Sequence, residues 1–141
     1  MGIYKNLRKG LNAVMTLNRY IIENAGKVQD SSFLQEFDQA EVFFTILESN
    51  KPLPNGPMRA SEDTSLRIQT ADLDIGKMVV FYTNKSDHRL SNKFGGIPLY
   101  RALRMVQEMS DVDGILLQSD EEAWFSADKQ AINNALRSLS A

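Results

Sequence analysis

The chain has 141 residues, of which 43% are apolar and 24% are charged, and its net charge at pH 7 is −2. This length suits one domain with a sizeable core, and the composition excludes a globally disordered chain. The chain contains no cysteine, which excludes disulfides, thiol catalysis and cysteine-ligated metals, and its single histidine excludes the paired-histidine zinc motifs.

The first 28 residues predict a basic amphipathic helix, over residues 3–24, that precedes a domain over residues 29–141. Apolar residues recur at helical spacing, and Ala25-Gly26 offers a C-terminal stop. The charged residues of this segment are Lys5, Arg8, Lys9, Arg19, Lys27 and Glu23, a net charge of +4, whereas the other residues together carry −6. The residues that we expect to mediate interaction are Tyr4, Leu7, Leu11, Val14 and Met15, with Lys5, Arg8 and Lys9.

The remaining pattern predicts an alternation of short strands and helices. Three of the four prolines fall within residues 49–63, which predicts a surface loop there. Gly76 is expected to lie in the turn of a hairpin between a strand over 66–71 and a strand over 77–83. The predicted elements after the first helix are a helix over 30–37, strands over 41–48, 66–71 and 77–83, a helix over 98–109, strands over 115–117 and 123–125, and a last helix with Asp128 in its first turn.

The order α-α-β-β-β-α-β-β-α predicts an α+β domain. The strand, helix and strand between Lys77 and Leu117 form a crossover, which makes its two strands parallel. The flanking hairpins are antiparallel, so we expect a single mixed sheet of about five strands with helices packed on it. Residues 84–98 are polar and basic, and are predicted to be a connector that contains Gly95-Gly96.

Two short motifs carry a family resemblance. Val80-Phe81-Tyr82-Thr83-Asn84 and Asp113-Gly114-Ile115-Leu116-Leu117-Gln118-Ser119 resemble strand ends in the N-terminal domain of the SseB (enhanced serine sensitivity) family, over residues 30–141. The second motif differs from the family, because Gln118-Ser119 stands where Asn-Pro is usual. The resemblance implies a fold of this type, and it implies no reaction, cofactor or catalytic residue.

Asp87-His88 is the one candidate for general-base chemistry, with Ser86 or Ser91 as the nucleophile. Such catalysis requires three groups to converge at about 3 Å, which neighbours in one loop rarely achieve, so a solvated histidine is preferred. The acidic groups 72–74, 111–113 and 120–122 match no calcium-loop pattern and are read as turn residues rather than metal ligands. We therefore predict no enzyme activity, metal or cofactor.

The apolar face of the predicted N-terminal helix has three candidate surfaces to pack on. They are its own domain, a second copy or another protein, and an anionic membrane. The membrane is the least favoured of the three, because the apolar face of this helix contains neither Trp nor Phe. Neither a secretory signal nor a membrane span is apparent, so a cytoplasmic location is expected.

The function predicted from the sequence is protein–protein interaction, with self-association first. The alternative is binding of an anionic ligand or nucleic acid, although the acidic net charge disfavours nucleic acid. The residues of this alternative site are Lys85, Arg89, Lys93, Gly95, Gly96, Arg101 and Arg104.

Overall fold

The computed structural model describes residues 15–25, 33–49, 56–58 and 66–140, and it shows an α+β fold with one mixed sheet. The described helices are α1 (Leu17–Glu23), α2 (Phe33–Glu36), α3 (Leu99–Glu108) and α4 (Lys129–Ser140). The described strands are β1 (Glu41–Ser49), β2 (Gly56–Met58), β3 (Leu66–Ile68), β4 (Thr70–Leu73), β5 (Gly76–Tyr82), β6 (Lys93–Pro98), β7 (Gly114–Gln118) and β8 (Trp124–Asp128). The predicted class is confirmed, but the predicted number of strands is too low.

The sheet runs in the order β2-β6-β1-β5-β7-β8, with β3 paired to β1 and β4 paired to β5. The strands β5 and β7 are parallel, as the crossover predicts, and the hairpins β4–β5 and β7–β8 are antiparallel. Gly76 has a φ of 134°, a backbone conformation that residues with a side chain rarely adopt. This explains why a glycine follows the turn of the β4–β5 hairpin.

Strand β6 lies where a polar connector was predicted, and this prediction is wrong. Gly95 and Gly96 face Phe44 and Phe43 of the neighbouring strand β1. A β-carbon at Gly95 would lie 2.5 Å from Phe44 Cζ, and one at Gly96 would lie 3.0 Å from Phe43 Cε1. The two glycines therefore let aromatic rings pack on both faces of the sheet, a tertiary reason for a strand that glycine-rich sequence disfavours.

Two further strand boundaries differ from the sequence-based expectation. Strand β2 lies within the predicted loop 49–63 and pairs in parallel with β6. The single strand predicted over 66–71 is two strands, since the chain changes partner at Gln69. The backbone N–H of Gln69 donates to Thr45, and its carbonyl accepts from Val80, so this residue joins β1 to β5.

The described helices pack on one face of the sheet. Their buried side chains form one cluster with Val42, Phe44, Val79, Phe81 and Ile115, which alternate along their strands. Residues 84–92, here called the strap, lie on the other face: Leu90 packs against a second cluster that includes Met78 and Val80. The strap connects β5 to β6, between which β1 lies.

Helix α1 belongs to the same core as the rest of the domain. Leu17 and Ile21 are buried in the main cluster, and the ring of Tyr20 stacks on that of Phe33 at a centroid distance of 4.8 Å. The helix begins at Leu17, where Thr16 is extended and its hydroxyl accepts from the Arg19 N–H. Residues 15 and 16 are not helical, so the described residues contradict a single continuous helix over 3–24.

No described helix has the length and apolar character needed to cross a membrane.

Candidate functional site

The carboxyl ends of the parallel strands β5 and β7 meet at one edge of the sheet, where Tyr82 lies beside Gln118. Beyond them follow the strap and a turn over residues 119–123. Crevices outside the carboxyl ends of parallel strands are frequent ligand sites, so this edge is a candidate binding site.

Asn18 of α1 holds the two loops at this edge together. Its side-chain oxygen lies 2.8 Å from the Thr83 hydroxyl and accepts the Asp120 N–H at 2.8 Å. Asn84 donates to the Asp120 carboxylate at 2.7 Å. The beginning of the strap, the turn and α1 are therefore one hydrogen-bonded unit.

An ion pair within the strap fixes its conformation. The Asp87 side chain is fully buried, and it accepts hydrogen bonds from the Arg89 backbone N–H and from Nε at 2.9 Å and from Nη2 at 2.6 Å. The same Nη2 also donates to the Ser119 carbonyl. The guanidinium lies over the ring of Tyr82, 5.4 Å from its centroid. Arg89 thus ties the strap to the turn after β7.

The charges of this pair are mutually stabilised. Burial raises the pKa of Asp87, but the hydrogen bonds and positive charge of Arg89 outweigh burial and hold the pKa below its ordinary value of 3.8. The hydrogen bond to Asp87 raises the pKa of Arg89. Asp87 is therefore a structural carboxylate rather than a proton acceptor for chemistry.

A cleft of about 610 Å³ opens beside this unit. Its lining combines apolar and acidic side chains with the exposed side of the strap. The lining residues are Ile22, Ala25, His88, Arg89, Asp120, Glu121, Glu122 and Ala123. Glu121 and Glu122 are exposed, and no described side chain pairs with their carboxylates. Trp124, the only tryptophan of the chain, follows Ala123 directly and is 52% exposed.

His88 is placed at the rim of the cleft without the partners that the catalytic alternative needs. Its side chain is 89% exposed, and Nδ1 lies 4.0 Å from an Asp87 oxygen that already accepts from Arg89. The Ser91 hydroxyl donates to the Lys93 carbonyl at 2.6 Å. This geometry gives no support to a serine–histidine–aspartate arrangement.

The basic residues of the anion-binding alternative are distributed over different elements. Arg89 is engaged with Asp87, Lys85 lies in the strap, and Lys93 begins β6. Arg101 and Arg104 lie on α3, on the opposite face of the sheet. Gly95 and Gly96 are paired within the sheet and present no loop of free amides. The structure therefore distributes this set over several elements and both faces of the sheet.

The residues proposed for interaction fall mostly outside the described part of the chain. Met15 is described; it is half-buried and packs against the main core. The others, Tyr4, Lys5, Leu7, Arg8, Lys9, Leu11 and Val14, lie outside the described residues. Within the described ranges, no cluster of three His, Asp or Glu side chains is placed to hold a metal ion.

Sequence reasoning missed the residues that build this edge. Arg89 was assigned to an anion site from the sequence, and Asn18 was given no role. Thr83 and Trp124 were read only as parts of strands. No local pattern marks Asn18, because its partners Thr83 and Asp120 are distant in the chain.

The fold and this edge define a small α+β domain with an acidic, partly apolar cleft at the carboxyl ends of two parallel strands. Comparison of the chain with family models, curated proteins and solved structures gives no match. The resemblance to the SseB N-terminal domain stays a prediction from the sequence.

Proposed function

We propose that this protein is a non-enzymatic protein–protein interaction module that binds a second copy of itself through the carboxyl edge of its sheet. The interface consists of Trp124, the turn over 119–123, and the apolar side chains of Ile22 and Ala25. The observation that carries the proposal is the exposure of Trp124, which directly follows a turn whose residues line an acidic, partly apolar cleft.

Tryptophan is enriched at the energetic centres of protein interfaces, because its large ring is buried on binding at a small entropic cost. The surrounding edge is ordered by Asn18 and by the pair of Asp87 and Arg89, so the surface is formed before a partner arrives. The opposite net charges of the first 28 residues and of the remaining chain favour a second copy as partner.

The experiment is sedimentation velocity over a concentration series, in parallel with the fluorescence emission of Trp124. Because the chain has no other tryptophan, burial of this side chain on association shifts the emission to shorter wavelength. We expect the sedimentation coefficient to rise and the emission to shift over the same range of concentration.

The matched variants are Trp124→Ala and Ile75→Ala. Both residues are exposed, but Ile75 lies in the turn between β4 and β5, at the other end of β5. Trp124→Ala is expected to weaken association and Ile75→Ala to leave it unchanged. A chain that stays monomeric at every concentration, or equal effects of the two variants, would contradict the proposed function.

A further inference from the structure

We propose that the cleft at the carboxyl edge receives the basic N-terminal segment, residues 1–14, of a second copy of this chain. This inference depends on the self-association proposed above, and it names the segment that makes the contact.

The receiving surface offers both apolar area and uncompensated negative charge. Ile22, Ala25 and Ala123 supply apolar surface in the cleft of about 610 Å³. Glu121 and Glu122 stand exposed at its rim, and among the described residues neither carboxylate has a partner. Asp120 differs from them, because its carboxylate accepts the hydrogen bond from Asn84. Two carboxylates are thus available to an incoming cation.

The proposed occupant has the complementary composition. Residues 1–14 contain Lys5, Arg8 and Lys9 and no acidic residue. The same segment carries Tyr4, Leu7 and Leu11 among its apolar residues. A basic and apolar segment can place its cations against Glu121 and Glu122 while its apolar side chains cover the floor of the cleft.

Residues 1–14 join the described part of the chain at the end of α1 that is remote from the cleft. Residues 1–14 lead into Met15, which packs on its own core just before α1 begins. The cleft is lined by Ile22 and Ala25, at the other end of α1. Two copies that exchange this segment reciprocally across a two-fold axis fill both clefts at once, and the self-association proposed above supplies the second copy.

The test uses charge reversal on each side of the contact in the full-length chain. One variant carries Glu121→Lys and Glu122→Lys, and the other carries Lys5→Glu, Arg8→Glu and Lys9→Glu. Each variant alone is expected to self-associate about tenfold more weakly than the unmodified chain at low salt. An equimolar mixture of the two variants restores both contacts, and so should associate with about the affinity of the unmodified chain.

The control variant carries Asp74→Lys and Asp111→Lys, which changes the net charge as much as the reversal at Glu121 and Glu122. Both control residues are exposed, and the control should associate like the unmodified chain. Circular dichroism verifies that all variants are folded.

The outcomes separate this inference from the proposed function. If the unmodified chain associates but the reversed variants associate equally well, the assignment of the segment is wrong and self-association stands. If each variant is weakened but their mixture is not restored, the contact in trans is likewise wrong. If the unmodified chain does not associate at all, the proposed function itself is wrong.

Discussion

The ring of Phe44 packs against the backbone of Gly95 so closely that a β-carbon there would lie 2.5 Å from Cζ. Phe44 belongs to the main core, where its ring also meets that of Phe81 at a centroid distance of 5.9 Å. The glycine is therefore a packing residue of β6, and its replacement would move an aromatic ring that several buried side chains contact.

Gly95→Ala should lower the free energy of unfolding by about 1–3 kcal/mol, because overpacking a close contact forces neighbouring side chains from their preferred positions. Chemical denaturation measures this change. Phe44→Leu, alone and combined with Gly95→Ala, completes a double-mutant cycle. If the two residues do not couple, with an interaction energy near zero instead of about 1 kcal/mol, the packing explanation is wrong.

Arg89→Ala should destabilise the protein by about 3 kcal/mol at pH 7, because it leaves the buried Asp87 carboxylate without its counter-ion. Asp87→Asn should cost less, since the Arg89 side chain is 32% exposed and can reach water. Urea denaturation of both variants gives the comparison. A larger loss for Asp87→Asn would show that the guanidinium, not the carboxylate, is the group that needs its partner.

The same pair predicts a specific pH dependence. The pKa of Asp87 is lower in the folded protein than in the unfolded chain, so the ionised form stabilises the fold above about pH 4, the ordinary pKa, and this contribution is lost as the pH falls through the folded value. As the pH is lowered below about 4, the free energy of unfolding should therefore fall less for Asp87→Asn than for the unmodified protein. Parallel acid titrations followed by circular dichroism would reveal the difference; identical acid slopes would contradict it.

Removal of Arg89 should reverse the sign of this dependence. Without the guanidinium, burial is the largest influence on the pKa of Asp87 and is opposed only by the backbone N–H of residue 89 and by His88, so we expect this pKa to rise above its value in the unfolded chain. The stability deficit of Arg89→Ala relative to the unmodified protein should then shrink as the pH falls from 7 toward 4. Melting temperatures of both proteins across this range measure the deficit, and a deficit that stays constant would argue against an unpaired carboxylate.

The integration of α1 into the core can be tested within the helix itself. Ile21→Ala should cost about 2–4 kcal/mol because it removes a buried side chain, whereas Arg19→Ala should change stability by less than about 0.5 kcal/mol, since Arg19 is exposed and its ion pair with Glu23 is weak. Thermal denaturation compares the two variants. Equal effects would mean that α1 contributes no core contact.

Much of the fold could be predicted from the pattern of apolar residues. The strand 77–83, the crossover helix and the strand 115–117 were placed correctly. The helix buries one face with the helical period, and the two strands are short apolar runs that are buried on both faces. Strand β6 was missed because its sequence carries two glycines and a proline, and its conformation depends on Phe43 and Phe44 of another strand.

The candidate site was less accessible to sequence reasoning than the fold. The basic character of residues 84–104 was evident, but the burial of Asp87 by its neighbour Arg89 was not, and that contact removes one cation from the predicted anion site. The exposure of the Trp124 side chain could not be predicted either, because it depends on which elements pack against strand β8.

The sequence by itself determined the class of fold, the parallel crossover and the opposition of charge between the N-terminal segment and the rest, since these follow from local periodicity and composition. Only the tertiary structure decided that Asn18 joins two loops, that Arg89 ties the strap to the turn after β7, and that Glu121 and Glu122 line a cleft with Ile22 of α1. The physical reason is that hydrogen bonds, burial and exposure of these residues depend on segments far apart in the chain, which meet only after the sheet has formed.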